Sequence, residues 1–147
     1  MRAALAEAAA PDERGSGSPD VPVGAVVLDR GGEVISRARN RREADGDPTA
    51  HAEILAIRAA ARLAGSWRLD GMTLVVTLEP CTMCAGAVVN ARLSRLVYGA
   101  ADLRAGAVGS LWDVVRDQRI APCPEVVGGV LADECAGLIR RFFSERR

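Results

Sequence analysis

The sequence predicts an α/β protein, and three observations lead to that class. Short runs of β-branched residues alternate with longer segments whose apolar residues recur at helical spacing, the pattern of a sheet covered by helices. Hydrophobic residues make up 49% of the 147 residues, enough to build a core without disulfides. Because this length fits one domain, we expect residues 1–147 to form a single domain.

The elements of the first half follow from local signals. An alanine-rich segment predicts a helix over 3–10, and the Gly-, Ser- and Pro-rich residues 11–22 predict a flexible loop. Two paired strands are expected over 23–29 and 33–38, joined by a turn at Arg30-Gly31-Gly32. A polar loop follows over 39–47. The sequence Asp47-Pro48-Thr49 then predicts the start of a helix that ends near Gly65.

The second half continues the alternation. We expect a central strand over 72–78 and a helix from Pro80 to about Ala91, followed by a strand over 95–99. The Gly-rich residues 102–110 predict irregular backbone. The remaining expected elements are a short helix over 111–115, a strand over 125–127 and a last helix over 132–144.

Charge and composition exclude several classes of function. The 19 basic residues, all of them Arg, balance 19 acidic residues, so a protein that coats nucleic acid non-specifically is not expected. The absence of Lys excludes Schiff-base chemistry and a P-loop lysine. The longest uncharged run, residues 80–91, is too short to span a membrane, and the N-terminus does not resemble a signal peptide. We therefore expect a cytoplasmic protein without membrane association, whose cysteines serve a metal or the core.

Two short motifs carry potential chemistry. His51-Ala52-Glu53 stands at a predicted helix start, and Pro80-Cys81-Thr82-Met83-Cys84 directly follows a predicted strand. Residues three apart share one helix face, so Cys81 and Cys84 present both sulfurs together. Thiolate and imidazole are preferred zinc ligands, and three protein ligands leave a fourth position for water, as in catalytic sites. Glu53, two residues from the histidine, is not expected to be a ligand but suits proton transfer.

Other interpretations of these motifs remain open at this point. A lone CxxC also fits a redox pair or half of a structural zinc site, and a lone HxE occurs by chance. A structural site needs a fourth ligand, for which Cys123 and Cys135 are candidates. Cys135 lies in an apolar helical pattern and is most simply a core residue, whereas Cys123 between two prolines is harder to assign.

The two motifs together resemble the H-x-E…P-C-x-x-C signature of zinc deaminases. More narrowly, the chain resembles bacterial tRNA adenosine deaminases over residues 21–147. The matching segments are VPVGAVV at 21–27, Asn40-Arg41, DPTAHAEI at 47–54, VTLEPCTMCAG at 76–86, GAVGSL at 106–111 and VLADEC at 130–135.

This resemblance implies a cytidine-deaminase-like fold, a three-layer α/β/α sandwich with a five-stranded mixed sheet, and a homodimer. It implies one Zn²⁺ per chain, held by His51, Cys81 and Cys84, and Glu53 as the proton-transfer residue. The implied reaction converts adenosine to inosine at the wobble position of a tRNA anticodon stem-loop. Asn40, Val23, Ala52 and Asp102 are the residues implied to contact the RNA substrate, Asp102 near a neighbouring ribose.

The chain also departs from the family where RNA is expected to lie. Ala38-Arg39 precede Asn40 in place of Gly-His or Gly-Trp, Ala101 replaces a basic residue, and Ala121-Pro122-Cys123 replace an Asn-His-Arg stretch. A deaminase of a free nucleobase or nucleoside is therefore an alternative, as is a zinc-bound module without turnover. Arginine clusters at 37–42 and 140–147 are candidates for phosphate contact, although both also suit a solvated surface.

Overall fold

A five-stranded mixed sheet forms the middle layer of the protein. The computed structural model describes residues 1–11, 19–117, 119–120 and 122–146. The strands are β1 (Gly24–Leu28), β2 (Val34–Arg39), β3 (Thr73–Leu78), β4 (Arg95–Ala100) and β5 (Glu125–Val127). Their order is β2-β1-β3-β4-β5. Strand β1 is antiparallel to both neighbours, whereas β3, β4 and β5 are parallel to one another.

Helices cover both faces of this sheet. They are α1 (Arg2–Ala9), α2 (Arg42–Asp45), α3 (Ala52–Ala64), α4 (Thr82–Asn90) and α5 (Ala132–Ser144). The main core lies between the sheet and the helices α3 and α4, and it includes Val27, Ala56, Val76 and Val88. On the opposite face α1 packs on Val26 and Val75. Since side chains alternate along a strand, each strand supplies both layers. The predicted three-layer α/β/α sandwich is confirmed.

Two glycines let helices approach the sheet closely. A Cβ at Gly24 of β1 would lie 2.1 Å from the Ala4 carbonyl oxygen of α1. A Cβ at Gly99 of β4 would lie 2.3 Å from the Cys135 sulfur of α5. Both helices therefore pack on glycine backbone that carries no side chain. Because Cys135 is buried in one of these contacts, it is a core residue.

One end of the sheet collects the segments that bear the candidate site residues. The carboxyl ends of β3 and β4 lie there, and antiparallel pairing brings the start of β1 and the end of β2 to the same end. Helix α4 begins directly after β3, so its N-terminus lies there too. The pairing of the sheet thus gathers chain segments that are distant in sequence.

The predicted elements agree with the structure except in the loops. The helix expected over 111–115 is wrong: Val108 and Asp113 form an isolated β-bridge, and the Leu111 and Trp112 amides donate to the Gly106 carbonyl. The loop expected over 39–47 contains the short helix α2, where the Asp20 carboxylate accepts hydrogen bonds from the Glu43 and Ala44 amides. Of the loop expected over 11–22, residues 12–18 lie outside the described residues. No helix in the described ranges is long and apolar enough to cross a membrane.

Candidate metal centre and active site

Three ligand side chains converge at the N-termini of two neighbouring helices. His51 is the N-cap residue of α3, Cys81 is the N-cap residue of α4, and Cys84 lies three residues further along. The His51 Nδ1 atom lies 3.6 Å from the Cys81 sulfur and 3.5 Å from the Cys84 sulfur. The ligand atoms of the three residues all lie within 4.8 Å of one another. A single ion can therefore contact all three side chains.

The electrostatics of this cluster favour a thiolate. The hydrogen bond with Cys84, together with one from His51, lowers the pKa of Cys81 to about 4 although burial opposes this change. The same hydrogen bond between the two cysteines raises the pKa of Cys84. The hydrogen bond with Cys81 also raises the pKa of His51. The helix N-terminus also favours negative charge at Cys81. One ligand is thus already in the deprotonated form that a metal requires.

The donor set fits a catalytic zinc site better than it fits a redox pair or a structural zinc site. Two sulfurs and one imidazole nitrogen form a three-ligand arrangement with room for water, the pattern of catalytic zinc sites. Neither remaining cysteine belongs to the cluster. Cys135 packs against Gly99, and Cys123 is exposed and donates to the carbonyls of Asp117 and Ile120. Among the described residues, no fourth protein ligand of the kind a structural site needs joins this cluster.

Glu53 is buried beside the metal ligands. It stands in the first turn of α3, and only 3% of its surface is exposed. Burial raises the pKa of Glu53, while its backbone and the neighbouring His51 act in the opposite direction. A buried carboxyl group with a raised pKa suits both the uptake and the release of a proton.

A cavity of about 880 Å³ opens over the cluster. His51, Glu53 and Cys81 lie in its wall, as does Asn40, which follows β2. The Asn40 Nδ2 atom donates to the Val21 carbonyl, and the Asn40 Oδ1 atom is buried without a hydrogen-bond partner. Because buried polar atoms are nearly always paired, this unpaired oxygen indicates a contact that a ligand supplies.

The other residues implied by the resemblance also lie in this wall. Val23 and Ala52 are buried apolar residues there. Asp102 belongs to the loop after β4, and its Oδ1 atom accepts hydrogen bonds from the Arg104 and Ala105 amides. Part of its carboxylate therefore serves a turn, which leaves the second oxygen for other contacts.

The arginine clusters divide between surface and cavity. Arg42, Arg140 and Arg146 line the cavity. Arg39 instead donates to the carbonyls of Ala10 and Pro11, and Arg41 pairs with Asp45. Arg147 lies outside the described residues.

Sequence reasoning missed several residues of the cavity. Arg104 lines it from outside both arginine clusters, and exposed Leu103 and Phe143 contribute apolar surface. Glu79 also lies in the wall and is 2% exposed. Its only signal in the sequence is a charged residue at the end of an apolar strand, directly before Pro80.

Comparison with known proteins places the chain among deaminases. The family model for the zinc-binding region of cytidine and deoxycytidylate deaminases matches residues 1–100. A tRNA-specific adenosine deaminase of Bacillus subtilis (strain 168) is 46% identical over 147 residues, which is 100% of this chain and 88% of that protein.

Two solved structures give the same result. One, from studies of A-to-I editing by tRNA:A34 deaminases at the wobble position of transfer RNA, matches with a TM-score of 0.85 and 44% identity over 94% of this chain and 96% of that chain. A guanine deaminase from Nitrosomonas europaea matches with a TM-score of 0.73 and 28% identity, covering 84% of this chain and 73% of that chain.

Proposed function

The chain belongs to the tRNA-specific adenosine deaminases within the zinc-binding cytidine and deoxycytidylate deaminase family, and we propose that it converts adenosine to inosine at the wobble position of tRNA anticodon loops. The observation that carries this function is the convergence of His51, Cys81 and Cys84 beside buried Glu53 in the wall of one cavity. The reaction is hydrolytic: water replaces the amino group at C6 of adenine, and ammonia leaves.

The chain's residues divide the chemistry between them. His51, Cys81 and Cys84 would hold one Zn²⁺, which would supply a Lewis acid that activates water at neutral pH. Glu53 takes a proton from the attacking water and passes it to the ring nitrogen beside C6. It then assists the departure of ammonia. Its raised pKa and its exclusion from bulk water suit this sequence of proton transfers.

Other residues of the cavity wall orient the base. The Asn40 Oδ1 atom accepts a hydrogen bond from an N–H group of the base, which satisfies its buried oxygen. Val23 and Ala52 contribute apolar contact with the ring. Asp102 lies on the loop after β4, where its second carboxylate oxygen can accept from a ribose 2′-hydroxyl.

Two features favour an RNA loop over a free nucleobase. A volume of about 880 Å³ is near the upper end of the range for drug-sized ligands, which is more than one base requires. Arginines at positions 42, 104, 140 and 146 line the cavity and can contact the phosphates that flank the target nucleotide. A free nucleobase has no phosphate, so it would leave these side chains without a role.

The partners and the location of the protein follow from this function. The tRNA anticodon stem-loop is the macromolecular substrate, and the cytoplasm, where tRNA is modified, is the proposed location.

We also propose a homodimer. The exposed side chains of Leu111 and Trp112, 52% and 59% accessible, support a self-association surface on the loop after β4. Analytical ultracentrifugation of the wild type and of Trp112→Glu tests this, because only a monomeric variant beside a dimeric wild type fits the proposal.

Inosine formation in an anticodon stem-loop with adenosine at the wobble position tests the function directly. We expect inosine from the zinc-loaded wild type. The variant Glu53→Gln should retain one zinc per chain but lose about 10²–10⁴-fold in rate, the usual contribution of a general acid or base. Zinc content is measured alongside activity.

Two outcomes would contradict the proposal. Zinc-loaded wild type that leaves the stem-loop unchanged but deaminates free guanine, cytosine or their nucleosides would select the alternative substrate class. Loss of zinc from Glu53→Gln would show that Glu53 is a ligand and would remove its assigned role.

A further inference from the structure

Glu79 is a buried carboxylate whose hydrogen-bond partners in the described part of the chain all belong to one loop. It follows the last residue of β3 and is 2% exposed. Removing a carboxylate from water is costly unless donors replace the lost hydration. The donors that meet this need at Glu79 are three backbone amides and one hydroxyl group.

These donors come from both ends of the loop that follows β4. One carboxylate oxygen, Oε2, accepts from the Asp102 amide at 3.0 Å and from the Ser110 hydroxyl. The other, Oε1, accepts from the Val108 amide at 2.9 Å and from the Ser110 amide at 3.0 Å. A single side chain thus joins the start of the loop to its end.

The loop between these anchor points forms one wall of the cavity. Residues 102–105 line it together with Ala101, which stands directly before the first anchor point. The Ala107 amide donates to the Pro80 carbonyl, one residue before Cys81, so the same loop also contacts the short segment between β3 and α4 that carries the metal ligand Cys81. The position of Glu79 therefore sets where this wall lies relative to the metal centre.

Gly106 provides independent support for a close fit at this point. A Cβ at Gly106 would lie 2.5 Å from the Glu79 Cδ atom and 2.5 Å from the Asp102 carbonyl oxygen. The absence of a side chain at this position allows the loop to close around the carboxylate.

We propose that Glu79 is a positioning residue for the RNA substrate: it fixes the loop 101–110 as the wall against which the nucleotides next to the target adenosine bind. This rests on the proposed function. Glu79 acts through the loop, because its own oxygens are already occupied by the four donors. The role requires an acceptor at both oxygens rather than charge alone.

The variant Glu79→Gln tests this role with little change in volume. The amide oxygen can keep the Val108 and Ser110 amides, but an NH₂ group in place of Oε2 faces the Asp102 amide as a second donor. The loop then loses its anchor at Asp102. We expect KM for the stem-loop to rise by at least about tenfold, the loss typical of one hydrogen bond to a charged acceptor, while kcat changes far less.

A measurement that does not depend on activity accompanies the kinetics. Trypsin cleaves after Arg104 in this loop and after Arg30 in the turn at the opposite end of the sheet, and both arginines are exposed. In Glu79→Gln we expect faster cleavage after Arg104 with unchanged cleavage after Arg30. Ser110→Ala, which removes only the hydroxyl donor, should give a smaller change in the same direction. Glu33→Gln, at an exposed carboxylate near the turn, should change neither readout.

The outcomes separate this proposal from the proposed function and from a purely structural role. A fall in kcat at unchanged KM, or equal acceleration of cleavage at both sites, would overturn it, because either result would place Glu79 in the chemistry or in global stability. If the wild type forms no inosine, the function fails, but the cleavage pattern still tests whether Glu79 holds the loop.

Discussion

Asn40 is the residue whose environment most directly indicates a ligand contact. Its amide nitrogen is fixed by the Val21 carbonyl, and its oxygen is buried without a partner. An unpaired buried group of this kind costs stability, and a bound ligand with a hydrogen-bond donor would satisfy it. Function and stability are therefore in opposition at this position.

A substitution at Asn40 should separate these two effects. Asn40→Leu keeps the branching and the number of side-chain heavy atoms. It removes the unpaired oxygen but also the hydrogen bond to the Val21 carbonyl, and because these two effects on stability oppose each other, the melting temperature should change little. Loss of the acceptor should raise KM for the stem-loop by about tenfold or more. Calorimetry and steady-state kinetics check the two halves. A large fall in melting temperature together with unchanged KM would contradict this assignment.

The sequence predicted some site residues and missed others for a physical reason. His51 and Glu53 lie in one short motif, and Cys81 and Cys84 lie in another whose spacing is one helix turn, so local sequence is sufficient to find them. Glu79 was missed because its donors lie 23 to 31 residues further along the chain. Nothing near it in sequence indicates that a carboxylate there is buried and satisfied.

At the scale of elements, close packing of helices on glycine decides the arrangement of the layers. Helix α5 lies against Gly99 of β4, where an added Cβ would also come within 2.7 Å of the Thr77 carbonyl oxygen. This contact holds α5 in the place from which Arg140 and Phe143 reach the cavity. The geometry of the sheet surface therefore affects the site.

Two alanine substitutions at this interface should have opposite effects. Gly99→Ala should destabilise the protein by about 1–3 kcal/mol, because the new methyl group must displace Cys135 or the β3 backbone. Gly137→Ala, on α5 itself, meets only an Arg141 nitrogen at 3.8 Å and should stabilise it by about 0.5–1 kcal/mol. Chemical denaturation measures both. Equal destabilisation by the two variants would show that the packing at Gly99 is not the cause.

The elements that sequence patterns failed to predict are those defined by distant backbone contacts. The expected helix over 111–115 is absent because the Leu111 and Trp112 amides bond to Gly106 instead of to helical neighbours. Helix α2 is capped by Asp20, more than twenty residues earlier in the chain. The longer strands and helices were predicted because their apolar periodicity is a property of the segment itself.

At the scale of the whole molecule, metal binding should contribute to stability. The three ligands must be deprotonated to bind a metal, and the hydrogen bond with Cys81 raises the pKa of His51, so protons compete with zinc as the pH falls. We expect chelation to lower the melting temperature. Where the free zinc concentration had been a hundred times the Kd, the loss of stability is about 2.7 kcal/mol. We also expect zinc release to increase on acidification. Melting curves with and without chelator check this, and identical curves would contradict it.

The zero net charge of the chain hides a local concentration of arginine at the cavity. Each phosphate contact to a single-stranded segment contributes about 0.7 to the slope of log affinity against log salt. Arg104→Ala and Arg140→Ala should each reduce the slope by about that amount. Arg62→Ala, near the far end of α3, should leave it unchanged. Stem-loop titrations over a range of salt measure the slope, and equal effects of all three variants would refute a localised contact.

The two ends of the sheet differ in what depends on them. The cavity and the metal ligands occupy one end, whereas the other carries the exposed turn at Arg30–Gly32, held by the Asp29 carboxylate and by Arg30 on the Asp70 carbonyl. Exposed turns far from buried backbone are where chains tolerate insertions. A peptide tag or a fused domain can therefore be introduced between Gly31 and Gly32 while the opposite end stays intact. The same separation lets one end of this fold diversify without disturbing the other.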